Sequence, residues 1–294
     1  MSGFFDYLIP LLSNVGIFII LALGLNLING ICGQFSLGHA GFWAVGAYAA
    51  GAYGLYFAPE IPNFINLFIS CLVGMITSAL FGLAIGIPCL RLRGDYLAIA
   101  TLGFGEIIRI VIMNTDKLGG PRGMTNIPHW TNIFWVYAWV ILFIFIIVNF
   151  LKGPHGRAMI SVREDEIASE SMGINTFKYK TMAVVIGAAM AGVAGALFAH
   201  GQQFLHPNNF TFMWSVIILL MIILGGLGSV TGAILGAIIL TILPELLRFM
   251  GTTIAEWRMV IYSLLLIALM LWRPSGILGK REINLLGLFK KGKT

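Results

Sequence analysis

Apolar residues fill long blocks of this chain, and polar residues are confined to short gaps between the blocks. A helix needs roughly 20 apolar residues to cross the hydrocarbon core of a bilayer. Blocks of this kind recur along almost the whole length. They predict membrane-spanning helices over residues 7–28, 35–57, 64–89, 96–114, 133–151, 182–202, 212–224, 230–247 and 259–272.

The predicted span 212–224 differs from the others because it is short. It runs directly into Gly225, Gly226 and Gly228. Polytopic proteins tolerate interrupted helices where the backbone lines a cavity, so this segment is interpreted as a broken or re-entrant helix.

Composition agrees with a membrane protein. The chain is 59% hydrophobic and 10% charged, with a mean hydropathy of +0.93. A soluble domain of this composition would aggregate. We therefore predict an all-α fold, a polytopic integral membrane helix bundle of about eight or nine transmembrane helices. Residues 1–294 are taken as one transmembrane domain with a polar loop, 152–181, and a basic tail, 273–294.

Basic residues predict how the chain is oriented. Most of the 18 lysines and arginines lie at 91–93, in the loop 152–181 or in the tail 273–294. Positive residues beside spans are retained in the cytoplasm, so we expect these regions inside and, after an odd number of crossings, the N-terminus outside. The net charge of +6 then reflects topology and contact with lipid headgroups, not binding of nucleic acid.

No metal, disulfide or catalytic pattern is visible in the sequence. The cysteines are odd in number and widely spaced, and the five histidines show no ligand spacing. Small residues instead recur every four positions, which allows helices in lipid to approach closely. These stripes either pack the bundle or also line a pathway; they are Gly46, Ala50, Gly54; Gly74, Ser78, Gly82, Gly86; Ala188, Gly192, Ala196; and Gly228, Gly232, Gly236.

Two polar features lie at membrane depth. Glu106 and Arg109 are three residues apart in one predicted helix and can pair along one face. They either neutralise each other or face a pathway or a partner subunit. The segment from 29 to 39 is either a plain loop or a discontinuous helix start that lines the translocation route; its uncharged hydrogen-bonding groups are Gln34, Ser36 and His39.

The polar loop 152–181 predicts a short amphipathic helix. Ser161 and Glu164 fit a capping box, which would place Glu164, Asp165 and Glu166 in the first helical turn. Gly173 would end this helix in the left-handed conformation, and Asn175 would cap the next one. A short helix tied to a membrane span is suited to passing force from a soluble partner.

The last eight residues, GLFKKGKT, match the letters of a phosphate-binding loop. That loop needs a preceding strand and a following helix whose amides cradle the phosphates. No helix can follow Thr294, so we expect a cationic tail near lipid, and ATP to be bound by another chain.

Three long motifs carry a family resemblance: GQFSLGHAGFWAVGAYAA from Gly33, RLRGDYLAIATLGFGEIIR from Arg91, and GRAMISVREDEIASESMGIN from Gly156. Together with IILGGLGSVTGAILGA from Ile222, they resemble the permease subunit of bacterial branched-chain amino acid ABC importers. The match runs in order over nearly the whole chain. That importer has two unlike permeases, and the first two motifs resemble one of them in particular.

The resemblance implies a transport subunit of the bacterial inner membrane that is not itself an enzyme and binds no cofactor. Its implied partners are a second permease chain, two cytoplasmic ATPases and an extracytoplasmic binding protein for leucine, isoleucine or valine. Related permeases carry urea or short amides, and an ion-coupled secondary transporter is the further alternative. Carried over from the family, the ATPase-coupling residues are Arg157, Arg163, Glu164, Asp165, Glu166, Ala168 and Gly173.

Overall fold

The computed structural model describes residues 2–92 and 94–249, together with residues 263, 264, 267, 276, 277 and 279. Most of the predicted span 259–272 and of the tail 273–294 lies outside this range. The α-helices are α1 (Ser2–Leu25), α2 (His39–Ala52), α3 (Asn63–Cys89), α4 (Asp95–Met113), α5 (Ile133–Lys152), α6 (Pro154–Glu164), α7 (Glu166–Ser171), α8 (Thr176–Gln202), α9 (Phe212–Gly225) and α10 (Val230–Phe249).

Two of these helices continue in a wider form. A π-helix, Asn26–Ile31, extends α1, and a second, Tyr53–Phe57, extends α2. Short 3₁₀ turns lie at Asp116–Leu118, Gly120–Arg122 and Pro207–Phe210. Within the described residues the only β pairing is one antiparallel bridge between Met124 and Leu205, so the predicted all-α fold is confirmed.

Among the described residues, six helical segments are long and apolar enough to cross a membrane: Leu8–Ile31, Asn63–Cys89, Asp95–Met113, Ile133–Lys152, Thr176–Gln202 and Pro207–Gly225. The shorter apolar helix Val230–Leu246 and the buried α2 complete the bundle in the described part of the chain. The segment proposed as broken or re-entrant is one unbroken helix, α9, and the interruption comes after it at Gly226 and Gly228.

Helix α8 lies at the centre of the bundle and is almost continuously buried against α1, α2 and α3. Glycines make this packing possible. A Cβ on Gly192 would overlap the carbonyl of Gly74, and a Cβ on Gly46 would overlap Gly192. The predicted small-residue stripes on α2, α3 and α8 therefore meet one another, and their packing role is confirmed.

The fourth predicted stripe is partly wrong. Gly228 does not lie on a helix; it has a φ of +84° in the turn between α9 and α10. Gly232 and Gly236 do lie on α10, where added Cβ atoms would press on the backbone of α9 at Gly225 and Met221. Close packing of α9 and α10 therefore begins one turn after the position that the four-residue spacing suggested.

The bundle has two distinct ends. We call the end that carries α6 and α7 the loop end, and the end that carries residues 203–211 the far end. Helix α8 starts at the loop end, and the π-helix of α1 and the α9–α10 turn also lie there, because both contact α6. Ile277, near the C-terminus, returns to this end and donates its backbone N–H to Leu224 at 2.8 Å.

The predicted span 35–57 begins too early. Residues 32–38 are not helical, and α2 starts at His39. Gly33 has a φ of +74°, which side-chain-bearing residues rarely adopt. Side chains of the membrane helices hold this segment and the start of α2: Thr101 Oγ1 accepts the Leu37 amide at 3.0 Å, and Ser215 Oγ accepts the Ala40 amide at 2.9 Å.

Candidate functional site

The polar loop folds as two helices rather than one. Helix α6 ends at Glu164, Asp165 is extended, and α7 begins at Glu166. Asp165 is the cap of α7, since its carboxylate accepts the Ala168 amide at 2.9 Å. The predicted capping box is therefore wrong: Ser161 lies inside α6 and donates its hydroxyl to the Ala158 carbonyl.

The two loop helices are attached to each other and to α8. Ser169 and Ser161 hydroxyls lie 3.2 Å apart, and Lys180 at the start of α8 pairs with Glu166 at 2.6 Å. The chain then leaves α7 through Gly173, whose φ is +81°, and Asn175 accepts the Lys178 amide at 2.9 Å. The predicted left-handed stop and the predicted cap of α8 are both confirmed.

Large apolar side chains project from this polar loop. Ile167 is 73% exposed and Met172 is 83% exposed. Both lie in a segment that is tethered on two sides, so their exposure is a property of a held surface rather than of a loose chain. The neighbouring exposed residues are Glu164, Asp165, Ala168, Glu170, Ser171 and Gly173. We call this surface, with Ile167 and Met172, the α7 surface.

The residues carried over from the family do not all face outward. Arg157 is exposed on α6, and Glu164, Asp165, Ala168 and Gly173 belong to the α7 surface. Glu166 is turned toward Lys180. Arg163 is turned into the bundle, where its guanidinium donates to the Gly30 carbonyl at 2.8 Å. This orientation could not be predicted from local sequence, because Gly33 and Gly228, which make room for the Arg163 side chain, are far away in the chain.

The segment between α1 and α2 carries two of the predicted pathway residues. Gln34 and Ser36 are each 4% exposed, and with Thr101 they line a small gap between α2, α3 and α4. Asn29 fixes the segment because it accepts the Ser36 amide at 3.3 Å and donates to the Ser36 carbonyl at 3.2 Å. Sequence reasoning missed Thr101, which reads as an ordinary polar residue of a span.

The amide of Gln34 is only half satisfied. Its Nε2 lies 3.7 Å from the sulfur of Cys32, while its Oε1 is buried and has no hydrogen-bond partner within the described residues. Exchanging the two amide atoms would leave the nitrogen unpaired instead. An unpaired buried polar atom costs about 1–3 kcal/mol. The Gln34 side chain therefore lowers the stability of the folded protein.

Cys32 lies directly after the π-helix, near Tyr179 of α8. Burial raises the pKa of its thiol to about 12, and the nearby Lys180 ammonium only partly offsets this. The group is a neutral thiol at physiological pH, which makes it a poor nucleophile and a poor metal ligand. Among the described residues, no cluster of three His, Cys, Asp or Glu side chains could hold a metal ion.

His39, the third predicted pathway residue on this segment, is fully buried at the start of α2. Its ring lies edge-on to Phe42 and 3.3 Å from the position of a Cβ on Gly24, beside the backbone of Leu21. Neither ring nitrogen makes a hydrogen bond of ordinary geometry within the described part of the chain. The structure thus places His39 between α1 and α2 and not in the gap with Gln34.

Glu106 and Arg109 lie on α4, toward the far end, and form the predicted pair at 2.8 Å. The pair also joins other elements: Glu106 Oε1 accepts the Phe212 amide at 3.2 Å, and Arg109 Nη1 lies 3.4 Å from Asn208 Oδ1. Each carboxylate oxygen of Glu106 therefore accepts one hydrogen bond. The structure does not bring this pair together with Gln34, Ser36 and His39.

Comparison with known sequences adds to this geometry. The sequence model of the family described as branched-chain amino acid transport system, permease component, matches residues 7–270. The high-affinity branched-chain amino acid transport system permease protein LivM of Salmonella typhimurium is 39% identical over 301 residues, covering 89% of this chain and 68% of LivM. LivM of Escherichia coli is 38% identical over the same shares of each chain. LivH of Escherichia coli, a permease protein of the same transport system by name, is 37% identical over 129 residues, covering 44% of this chain and 41% of LivH.

Proposed function

This chain belongs to the family of permease components of branched-chain amino acid transport systems, and from that premise we propose that it carries leucine, isoleucine and valine across the inner membrane. It is a multi-pass permease of the ABC importer class, and a second permease chain is its partner. Two cytoplasmic ATPases drive the cycle, and an extracytoplasmic binding protein delivers the substrate. This chain itself binds no nucleotide.

The α7 surface is the observation that supports the ATPase partnership. Two large apolar side chains, Ile167 and Met172, project from a polar loop outside the apolar helices, which is costly for a surface that stays in water. Asp165 and the Glu166–Lys180 pair hold that surface in place. A held apolar patch with a polar rim is the common form of a protein–protein interface.

Basic residues support the proposed orientation. Arg91, Lys152, Arg157 and Lys178 all belong to the loop end, and positive residues are retained on the cytoplasmic side. The loop end and the tail 273–294 are then cytoplasmic, and the far end and the N-terminus are outside. Similarity to LivM extends over 89% of this chain and similarity to LivH over 44%, so this chain takes the LivM position and a LivH-like chain is its partner.

Purification and reconstitution test this proposal. The chain is purified in mild detergent with its co-expressed partner permease, and the co-purifying chains are identified by mass spectrometry. The complex is then placed in proteoliposomes with the binding protein, and uptake of labelled leucine is measured with and without ATP. We expect two ATPase subunits to co-purify with the permeases, and we expect leucine uptake to require ATP.

Competition decides among the remaining alternatives. Excess isoleucine and valine should suppress leucine uptake, whereas urea and acetamide should not. Suppression by urea without suppression by valine would assign the chain to the urea or short-amide branch of the family. Uptake by the permease alone, driven by an ion gradient, would contradict the ATP-driven mechanism.

A further inference from the structure

Arg163 connects the loop helices to the interior of the bundle. Its side chain is about one quarter exposed. Nη1 donates to the Gly30 carbonyl at 2.8 Å, while Nε and Nη2 donate to Glu164 Oε1 at 3.1 and 2.5 Å. One guanidinium therefore holds the last turn of α6 against the π-helix of α1.

Two glycines make room for this side chain, and a third makes room for the contact between the π-helix and the α9–α10 turn. A Cβ on Gly33 would lie 2.7 Å from Arg163 Cγ, and a Cβ on Gly228 would lie 2.7 Å from Arg163 Nη1. A Cβ on Gly30 would overlap Asn26 Oδ1 and the Gly228 amide. Gly33 and Gly228 also have positive φ values, +74° and +84°. Backbone from two distant parts of the chain is thus shaped around Arg163.

Asn26 joins these two parts to each other. Its Oδ1 accepts the Gly228 amide at 2.9 Å, and its Nδ2 donates to the Ser229 carbonyl at 3.1 Å. The side chain is buried, so these bonds are shielded from water. The π-helix of α1 and the α9–α10 turn are therefore tied together, and Arg163 contacts both.

The same π-helix leads into the predicted pathway segment. The backbone N–H of Gln34 donates to the Ile28 carbonyl at 3.0 Å, and Asn29 holds Ser36 through two hydrogen bonds. π-Helical segments have a wider hydrogen-bond pattern than α-helices and occur often at functional sites. A displacement of Gly30 would therefore be carried into residues 32–38.

We infer that Arg163 is a positioning residue that transmits movement of α6 and α7 to the π-helix and the α9–α10 turn, and through them to the segment 32–38. This inference rests on the proposed function, since the movement is supplied by ATPases bound at the α7 surface. It differs from the role carried over from the family, which places Arg163 at the ATPase contact. Nη1 of the guanidinium reaches into the bundle, toward Gly30, while Nε and Nη2 bond Glu164 at the edge of the α7 surface.

The test uses the whole complex in proteoliposomes and measures leucine molecules transported per ATP hydrolysed. Arg163→Gln removes the charge and the fork of donors. We expect the ratio to fall about tenfold, the order of effect expected for a lost hydrogen bond to a charged group, while ATPase chains still co-purify. Lys178→Gln removes an exposed positive charge at the same end and should leave the ratio unchanged.

Two further variants separate transmission from folding. Arg163→Lys keeps the charge, but an ammonium cannot bond Gly30 and Glu164 in one planar fork, so we expect the ratio to fall about threefold. Gly228→Ala keeps Arg163 and presses a methyl group on Nη1, and it should lower the ratio in the same direction. If Arg163→Gln does not assemble, these two variants decide.

Three outcomes would overturn the inference. A wild-type ratio in Arg163→Gln or Arg163→Lys would show that Arg163 does not couple the steps. Equal losses of uptake and ATP hydrolysis, with the ratio constant, would assign it a purely structural role. Loss of the ATPases from an otherwise intact Arg163→Gln permease pair would place it at the docking contact. Failure of the proposed function is distinguishable, because then the wild-type complex itself shows no ATP-dependent uptake.

Discussion

The carboxylate of Glu106 accepts a hydrogen bond from the backbone amide of Phe212 at 3.2 Å, which places a negative charge at the N-terminus of α9. The first amides of a helix have no intrahelical partner and form the positive end of its dipole. Arg109 occupies the other carboxylate oxygen at 2.8 Å. The pair therefore fastens α4 to the start of α9, where each oxygen of Glu106 already accepts one hydrogen bond.

Glu106 variants should change stability more than mechanism. Glu106→Gln keeps an acceptor for Phe212 but leaves Arg109 without its carboxylate, and Glu106→Ala removes both interactions. We expect the free energy of unfolding to fall by about 1–2 kcal/mol for Gln and further for Ala. The thermal midpoint of the detergent-purified complex measures this.

Replacing both members of the pair is the matched control. Glu106→Gln with Arg109→Gln leaves no uncompensated charge, so this double variant should be more stable than Glu106→Gln alone. Leucine uptake per folded complex should stay near the wild-type value in Glu106→Gln. Abolished uptake at unchanged stability would instead favour the ion-binding role that an ion-coupled transporter requires.

The glycine contact at the centre of the bundle gives a second prediction. Gly192→Ala would push a methyl group into the Gly74 carbonyl, and neither backbone can move without separating α8 from α3. We expect a loss of about 3 kcal/mol, the upper end of overpacking effects. Gly103→Ala on α4 is the control because nothing lies within 4 Å of its Cβ position. Alanine there should raise stability by about 0.5–1 kcal/mol. Equal midpoints for the two variants would contradict the packing assigned to α8.

Sequence reasoning predicted what depends on local spacing and missed what depends on distant contacts. The stripes of small residues on α2, α3 and α8 and the stop at Gly173 follow from helix periodicity and from the φ values open to glycine. The capping box failed because Ser161 and Glu164 have the right spacing but lie in the middle and at the end of α6. The end of α6 is held by the hydrogen bond from Arg163 to the carbonyl of Gly30, which is 133 positions away in the chain.

The span boundaries also divide into those set by local sequence and those set by distant contacts. Hydropathy located most ends of the described apolar helices to within a few residues, although α8 begins at Thr176 and not at 182. It could not place the start of α2, because residues 35–38 are no less apolar than their neighbours. Their non-helical form depends on Thr101 and Asn29, which hold the Leu37 and Ser36 amides from other elements.

Asp165 should control the order of the α7 surface. Asp165→Ala removes the acceptor for the Ala168 amide and should cost about 0.5–2 kcal/mol locally, whereas Asp165→Asn keeps an oxygen at the same place. Because α7 is only six residues long, we expect this loss to unfold it within the native permease. Hydrogen exchange of residues 166–172 measures the effect. Equal protection in the Ala and Asn variants would show that the cap does not hold α7.

The apolar members of the α7 surface should determine ATPase retention. Ile167→Ser with Met172→Ser removes two exposed side chains without touching the Asp165 cap or the Glu166–Lys180 pair. We expect at least a tenfold loss of ATPase that co-purifies with the permeases, since central apolar anchors of interfaces contribute about 2 kcal/mol or more each. Phe57→Ser changes a residue that is 74% exposed at the far end and should leave ATPase retention intact. Full retention in the double variant would move the docking site elsewhere on the loop end.

Gln34 should separate stability from transport. Its Oε1 is buried without a partner, so the native amide lowers stability by about 1–3 kcal/mol compared with a residue that has no polar atom there. Gln34→Leu has a similar size and should therefore raise the thermal midpoint. If the amide meets the substrate when the gap lined by Ser36 and Thr101 opens, the same variant should lower leucine uptake per complex.

Thr241→Val is the control, because Thr241 on α10 also has a buried unpaired oxygen within the described residues but lies outside this gap. It should raise the midpoint and leave uptake unchanged. A more stable Gln34→Leu complex with wild-type uptake would remove Gln34 from the pathway, since the unpaired amide would then have no role in transport.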